Sequence, residues 1–145
     1  MERLLVSACL LGHPCKYSGG DNRMSGDALR RLKDKYILIP VCPETAGGLG
    51  VPRAPSERRG ARVHNSRGED VTAQYRRGAE TAVRLAARFD CQKALLKERS
   101  PSCGNGRIYD GSFSGRLTEG MGVAAERLRE AGLTLYGESQ WESLV

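Results

Sequence analysis

Tyr36-Ile37-Leu38-Ile39-Pro40-Val41 is the clearest strand in this chain, an apolar run that ends directly on Cys42-Pro43. Short apolar runs of this length, bounded by turn residues, form buried strands. Pro40 suits a strand end rather than a central ladder position, because it has no N–H to donate. Upstream, Arg3 to Ala8 (Arg-Leu-Leu-Val-Ser-Ala) is a run of the same kind, followed by a loop from Leu10 to Met24 rich in Gly, Pro and Asp. Between the two runs Ser25 is placed to N-cap a helix with Ala28, Leu29 and Leu32 on one face. Downstream, residues 43–60 read as a long Gly-, Pro- and Arg-rich loop, long enough to be functional, and Ala61 to His64 as a small strand. Asp70 is expected to cap a long helix whose Val71, Tyr75, Ala79, Ala82, Val83, Ala86 and Phe89 follow helical spacing. Lys93 to Lys97 is a third buried strand, and Glu98 to Gly120 reads as a second long loop. Val123 to Ala131 is helical with Gly132 as its C′ residue, and Leu133 to Tyr136 is a last strand. Strands alternating with helices predict the α/β class: a three-layer, Rossmann-like arrangement with a mainly parallel sheet, one domain over residues 1–145.

Composition narrows the function classes. The chain has 145 residues, 39% hydrophobic and 28% charged, which suits a soluble globular protein able to bury a core. No apolar run approaches the ~20 residues of a membrane span. Met1-Glu2-Arg3-Leu4-Leu5-Val6 lacks the apolar stretch of a secretory signal, so a cytoplasmic location is expected. Net charge is +6, from 23 Lys and Arg against 17 Asp and Glu. That balance suits an anionic ligand such as a nucleotide or RNA, and equally a basic, solubilising surface. Pairs such as Arg58-Arg59 and Arg76-Arg77 are ordinarily solvated faces.

Five cysteines stand at positions 9, 15, 42, 91 and 103. The odd number, without a secretion signal, argues against a disulfide framework, and the absence of any Cys-x-x-Cys pair removes the commonest zinc-finger and thioredoxin signatures. Cys9 follows the first strand, Cys42 the second, and Cys103 lies in the loop after the third. Ligands of open α/β sheets bind outside the carboxyl ends of the strands, so these three thiols can converge there. Cys91 precedes the third strand and reads as a small buried hydrophobe. Cys15 is a neighbour of the site or a reserve ligand. Such a thiol set fits zinc with Cys15 as fourth donor, a thiol nucleophile, or an iron–sulfur cluster in which three cysteines leave one iron open.

Three ordered blocks carry a resemblance that covers nearly the whole chain. Ser7-Ala8-Cys9-Leu10-Leu11-Gly12 with Cys15-Lys16-Tyr17-Ser18-Gly19-Gly20 forms the first. Val41-Cys42-Pro43-Glu44, Gly47-Gly48-Leu49 and Pro52-Arg53-Ala54-Pro55 form the second. Lys97-Glu98-Arg99-Ser100-Pro101-Ser102-Cys103-Gly104, running into Gly106-Arg107-Ile108-Tyr109-Asp110-Gly111, forms the third. Together they resemble the small bacterial thiouracil desulfidase family, with Ser18 standing where an Asp is expected. The resemblance implies a [4Fe-4S] cluster held by Cys9, Cys42 and Cys103 with one open iron. It also implies non-redox removal of sulfur from 2- or 4-thiouracil or its nucleotide. The substrate sulfur would meet that iron while Glu44 activates water, and Ser100 would bond the ring or relay a proton.

The residues beside this site admit plainer roles as well. Glu44 can form a loop salt bridge, and Ser100 can cap a turn. Ser102 is a second serine in reach of the substrate. Arg53 and Arg107 can meet a substrate phosphate or pair with acidic neighbours. Tyr17 can stack on a pyrimidine or pack at the rim. Free base, nucleoside, nucleotide and tRNA all remain in the substrate class, and a small molecule is favoured because no second domain is present to grip RNA. The competing reading is a zinc-bound or metal-free nucleic-acid-binding module with a basic surface. No recognisable nucleic-acid motif supports it. A thiol redox protein would need two thiols close enough to form a disulfide.

Overall fold

The computed structural model describes residues 1–145. Along the chain run β1 (Glu2–Ser7), a 3-10 turn (Ala8–Leu11), α1 (Gly26–Lys35), β2 (Tyr36–Val41), α2 (Pro43–Ala46), β3 (Ser56–Arg59) and β4 (Arg62–Asn65). Then come α3 (Thr72–Arg88), β5 (Lys93–Leu96), β6 (Asn105–Tyr109), β7 (Leu117–Met121), α4 (Val123–Glu130), β8 (Thr134–Gly137) and a closing 3-10 helix (Glu138–Leu144). The main sheet has the order β2-β1-β5-β8, and every pairing in it is parallel. Two antiparallel hairpins, β3-β4 and β6-β7, stand apart from it.

β1 decides the layering. Leu4, Leu5 and Val6 are fully buried, and because successive side chains of a strand point to opposite faces, the sheet must be covered on both sides. Leu5 packs with Ala82 and Ala86 of α3 and Leu128 of α4. Leu4 and Val6 pack with Leu32 of α1 and with Leu144 of the closing 3-10 helix. The Tyr36 hydroxyl donates to the Leu144 carbonyl at 2.7 Å, which fastens that helix over the sheet. The three-layer α/β arrangement with a parallel sheet is thus the one expected from the alternation of strands and helices. Ser25 caps α1 as its position implied, accepting from the Ala28 N–H at 3.1 Å.

Pro40 is the penultimate residue of β2, opposite Val6, and because β2 is an edge strand its missing N–H breaks no central ladder. Two expectations need correction. The stretch 43–60 holds α2 and β3 as well as loop, and 98–120 holds the β6-β7 hairpin. These hairpins are held together by polar ties: Glu57 Oε1 accepts from the Gly111 and Phe113 N–H groups at 3.0 and 3.1 Å. Arg58 donates to the Met121 carbonyl at 2.7 Å and to Glu126 at 2.8 Å.

One contact between backbones places the second cysteine loop. α2 lies against α3 so closely that a Cβ on Gly78 would fall inside the Pro43 carbonyl, and one on Gly47 inside that of Gln74. Gly78→Ala is expected to cost ~2–3 kcal/mol through overpacking. Calorimetry checks this; a variant that melts like the parent would show that α2 can shift freely.

Candidate active site

Strand order reverses at the centre of the sheet, since the chain passes from β1 to β2 on one side and later fills β5 and β8 on the other. The crevice expected at such a point is present as a cavity of about 480 Å³. Its wall takes Cys9 from the turn after β1, Cys42 from the end of β2, and Cys103 from the loop after β5. Cys15 joins them, while Cys91 is buried in the core among Ala82, Ala86 and Ala94. Three strands thus deliver three thiols to one place, as the sequence implied.

Each thiol is positioned by its backbone. The Asn22 N–H donates to the Cys9 carbonyl at 3.0 Å. Cys42 leads into α2, and its thiol approaches the Cys15 carbonyl at 3.9 Å. The Cys103 loop is the most tightly tied. Ser100 Oγ accepts from the Ser102 and Cys103 N–H groups at 3.1 and 3.0 Å. The Ser102 carbonyl accepts from the Ala124 and Ala125 N–H groups at 2.9 and 3.0 Å, satisfying free donors at the α4 N-terminus. Gly122 lies against the Ser102–Cys103 peptide with no room for a Cβ.

Burial raises the pKa of the Cys9 thiol, with the nearby Cys42 adding to it and Asn22 opposing. Burial pushes Cys103 up to about 12, against the opposing effect of the Ser7 and Ser102 hydroxyls near its sulfur. Cys15 is also pushed up to about 12, first by burial and then by Cys42. Without a cation these sulfurs stay protonated at neutral pH; a bound metal supplies the charge that deprotonates them. In metal-free protein at pH 7, Cys15 should alkylate ~10²-fold more slowly than free cysteine, since fewer thiolates outweigh their greater nucleophilicity. Its rate should rise with pH beyond the point where free cysteine levels off. Mass spectrometry of iodoacetamide-treated protein measures both, and a fast reaction at pH 7 would contradict the raised pKa.

No group of three or more Cys, His, Asp or Glu side chains is gathered tightly enough for one metal ion. A tetrahedral zinc site needs its donors around a single centre. A cubane cluster instead takes each cysteine on a different iron, so donors spread around a cavity suit it. Three thiols delivered from separate strand ends to one cavity are a donor set that a [4Fe-4S] group can take.

Glu44 and its partners stand beside the cysteines. Arg53 Nε and Nη2 both lie 3.1 Å from Glu44 Oε1, and Ser102 Oγ donates to Oε2 at 2.9 Å. Both partners are donors, as an ionised carboxylate requires. Ser100 Oγ and Ser102 Oγ are 3.0 Å apart, which extends the chain of hydroxyls by one. Arg53 also donates to the carbonyls of Gly50 and Cys15 at 3.1 and 2.9 Å. Of its two anticipated roles, phosphate binding and acidic pairing, the ligand-free geometry shows the acidic pairing. Ser100 likewise caps the Cys103 loop, and Ser102, buried with 2% exposure, is the serine that touches both Glu44 and Cys103. Tyr17 stands at the mouth, 44% exposed. Arg107 is not in the wall at all; it is exposed on β6 opposite Glu119, and Tyr109, two residues on, lines the cavity instead.

Other wall residues were not anticipated as site residues: Asn22 beside Cys9, Ser7, Ser56, and Lys97, whose ammonium pairs with Glu138 at 2.7 Å. Lys97 could have been found from the strand-end rule, since it follows β5 directly. Asn22 carried no signal in the sequence.

A cysteine-lined cavity with an ion-paired carboxylate, set at the carboxyl edge of a parallel sheet, marks a small α/β enzyme. The chain belongs to the 2-thiouracil desulfurase family, whose profile matches residues 4–140. A solved structure of the [4Fe-4S]-dependent thiouracil desulfidase TudS superposes with a TM-score of 0.95 at 44% identity, over 99% of this chain and 95% of that one. The uncharacterized protein YbbK of Bacillus subtilis (strain 168) is 36% identical over 152 residues, spanning 98% of this chain and 99% of that protein. No helix is long and apolar enough to cross a membrane.

Proposed function

We propose that this chain removes sulfur from a thiolated pyrimidine by hydrolysis, using a [4Fe-4S] cluster held by Cys9, Cys42 and Cys103. The convergence of those three cysteines with Glu44 in one cavity carries the reading. The cluster supplies an iron without a cysteine ligand, a Lewis acid with affinity for soft sulfur.

The chain's own residues do the rest. Tyr17 at the mouth offers a face on which a pyrimidine can stack. Arg53 and Ser102 hold the Glu44 carboxylate in one orientation, so that it takes a proton from water approaching the thiocarbonyl carbon. Ser102, between Glu44 and Cys103, can pass that proton toward the departing sulfur, with Ser100 holding the loop in place. The reaction consumes thiouracil and water and releases uracil and hydrogen sulfide, with no net electron transfer.

The test is anaerobic reconstitution with iron and sulfide, followed by incubation with 2-thiouracil and 4-thiouracil. Visible absorbance from the cluster and stoichiometric uracil and sulfide are expected. A colourless protein that binds zinc and releases no uracil would overturn the reading.

A further inference from the structure

Lys97 is the first residue after β5 and lines the cavity. Leu96 packs with Val41 and Cys103 on one face of the sheet, and Leu95 packs on the other face with Leu10 and Cys9. Lys97 goes to the Leu95 face, because its ammonium meets Glu138, the first residue of the closing 3-10 helix that covers that face. Glu138 Oε1 accepts from Lys97 Nζ at 2.7 Å and from the Glu98 N–H at 2.9 Å, so the carboxylate is itself anchored. Lys97 belongs to the cavity wall and Glu138 does not, which makes the lysine the member of the pair that a ligand meets.

An ammonium carries three N–H donors and no acceptor. One goes to Glu138, and no other protein group takes the remaining two. The other charged groups of the wall are committed or lie at its edge. Arg53 gives its donors to Glu44, Gly50 and Cys15, and Glu98 accepts from the Ser139 N–H and hydroxyl. Lys16 lies over the Tyr17 ring at the mouth, and Arg99 is exposed. Lys97, with a side chain 29% exposed, is thus shielded on Cys9's side of the cavity with donors to give.

The geometry points to Lys97 as the substrate-binding residue that donates to the carbonyl oxygen a thiouracil ring keeps in addition to its sulfur, with Glu138 as the residue that positions it. This rests on the thiopyrimidine reading. A donor-only group bonds a ring oxygen and is left unpaired by a ring without one, and a site built around such a bond rejects the analogue that lacks it. Lys97 therefore sets a preference for oxygen-bearing rings, separate from the affinity of iron for sulfur.

The test pairs the residue with the oxygen in the reconstituted enzyme. Pyrimidine-2-thione and pyrimidine-4-thione keep the sulfur of 2- and 4-thiouracil and lack the oxygen. Lys97→Met keeps the apolar stem and removes the ammonium. It should raise KM for the thiouracil that the parent turns over by roughly 10–100-fold, the worth of a hydrogen bond to a charged group, and lower kcat little. The matching thione, read as substrate or competitive inhibitor, should bind parent and variant alike, because each change already removes the same bond. Lys97→Arg should restore part of the preference for thiouracil, and Glu138→Gln should raise KM by a smaller factor than Lys97→Met. Cluster absorbance and melting temperature check folding; if the unpaired Glu138 destabilises Lys97→Met, the Lys97→Met/Glu138→Gln double variant carries the same comparison. Parent-like KM for thiouracil in Lys97→Met, or an equal loss for the thione, would overturn the proposal. A parent that releases uracil from neither thiouracil sinks the desulfidase reading instead, a result distinct from a silent Lys97→Met.

Discussion

Cys103→Ser, prepared without oxygen and supplied with iron and sulfide, is expected to stay colourless and to release no uracil from thiouracil. Cys9→Ser and Cys42→Ser should behave alike, because a neutral hydroxyl is a poor iron ligand beside a thiolate. Cys91→Ser is the control that separates folding from ligation. Its thiol is buried with 5% exposure among Ala82, Ala86 and Ala94, far from any polar partner of the site. A hydroxyl there lacks a hydrogen-bond partner and should cost about 1–3 kcal/mol of stability while leaving colour and activity in place. The expected pattern is therefore crossed: one variant less stable but brown, three variants colourless whatever their stability. Cys15→Ser should keep the cluster. Loss of colour in that variant, with colour retained in any of the other three, would assign the ligands to a different triad.

How legible this was depended on whether the sequence signal was apolar and local. β1 and β5 announce themselves because they are buried on both faces and so read as apolar runs, and β2 reads the same way although, as an edge strand, it leaves Ile37 and Pro40 exposed. α1, α3 and α4 show helical spacing for the same reason, each having a face against the sheet or a neighbouring helix. Ser56-Glu57-Arg58-Arg59 carries no such signal: it pairs with β4 and is fixed through Glu57 and Arg58 to the distant β6-β7 hairpin and α4. Polar ties over more than fifty residues leave no periodicity to read. The same division runs through the site. The three cysteines were visible because strand ends point to one edge. Arg53 and Ser102 could be named but not both placed on Glu44, since Ser102 reaches it from the distant Cys103 loop and Arg53 only by the chain folding back on α2.

Glu44→Gln is expected to bind the cluster and the substrate sulfur and yet to lose turnover by roughly 10²–10⁴-fold, the usual worth of a positioned general base. The substitution keeps the side chain's size and one carbonyl oxygen, so an acceptor remains for either Arg53 or Ser102. The new amide NH2 cannot accept, so with the carbonyl oxygen kept on Arg53 the Ser102 hydroxyl loses its acceptor and must turn to receive the amide hydrogen instead. That loss argues for a second variant, Arg53→Lys, which retains a cation but not the fork that reaches Glu44, Gly50 and Cys15 together. If orientation of the carboxylate is what Arg53 provides, Arg53→Lys should lower kcat by a smaller factor than Glu44→Gln. Anaerobic spectra with and without 2-thiouracil read binding, and single-turnover release of uracil reads chemistry. Near-normal turnover in Glu44→Gln would hand the base to another group. A Glu44→Gln protein that fails to retain iron would make the carboxylate a brace for the Cys42 loop, acting through Arg53 on the Cys15 carbonyl rather than on water.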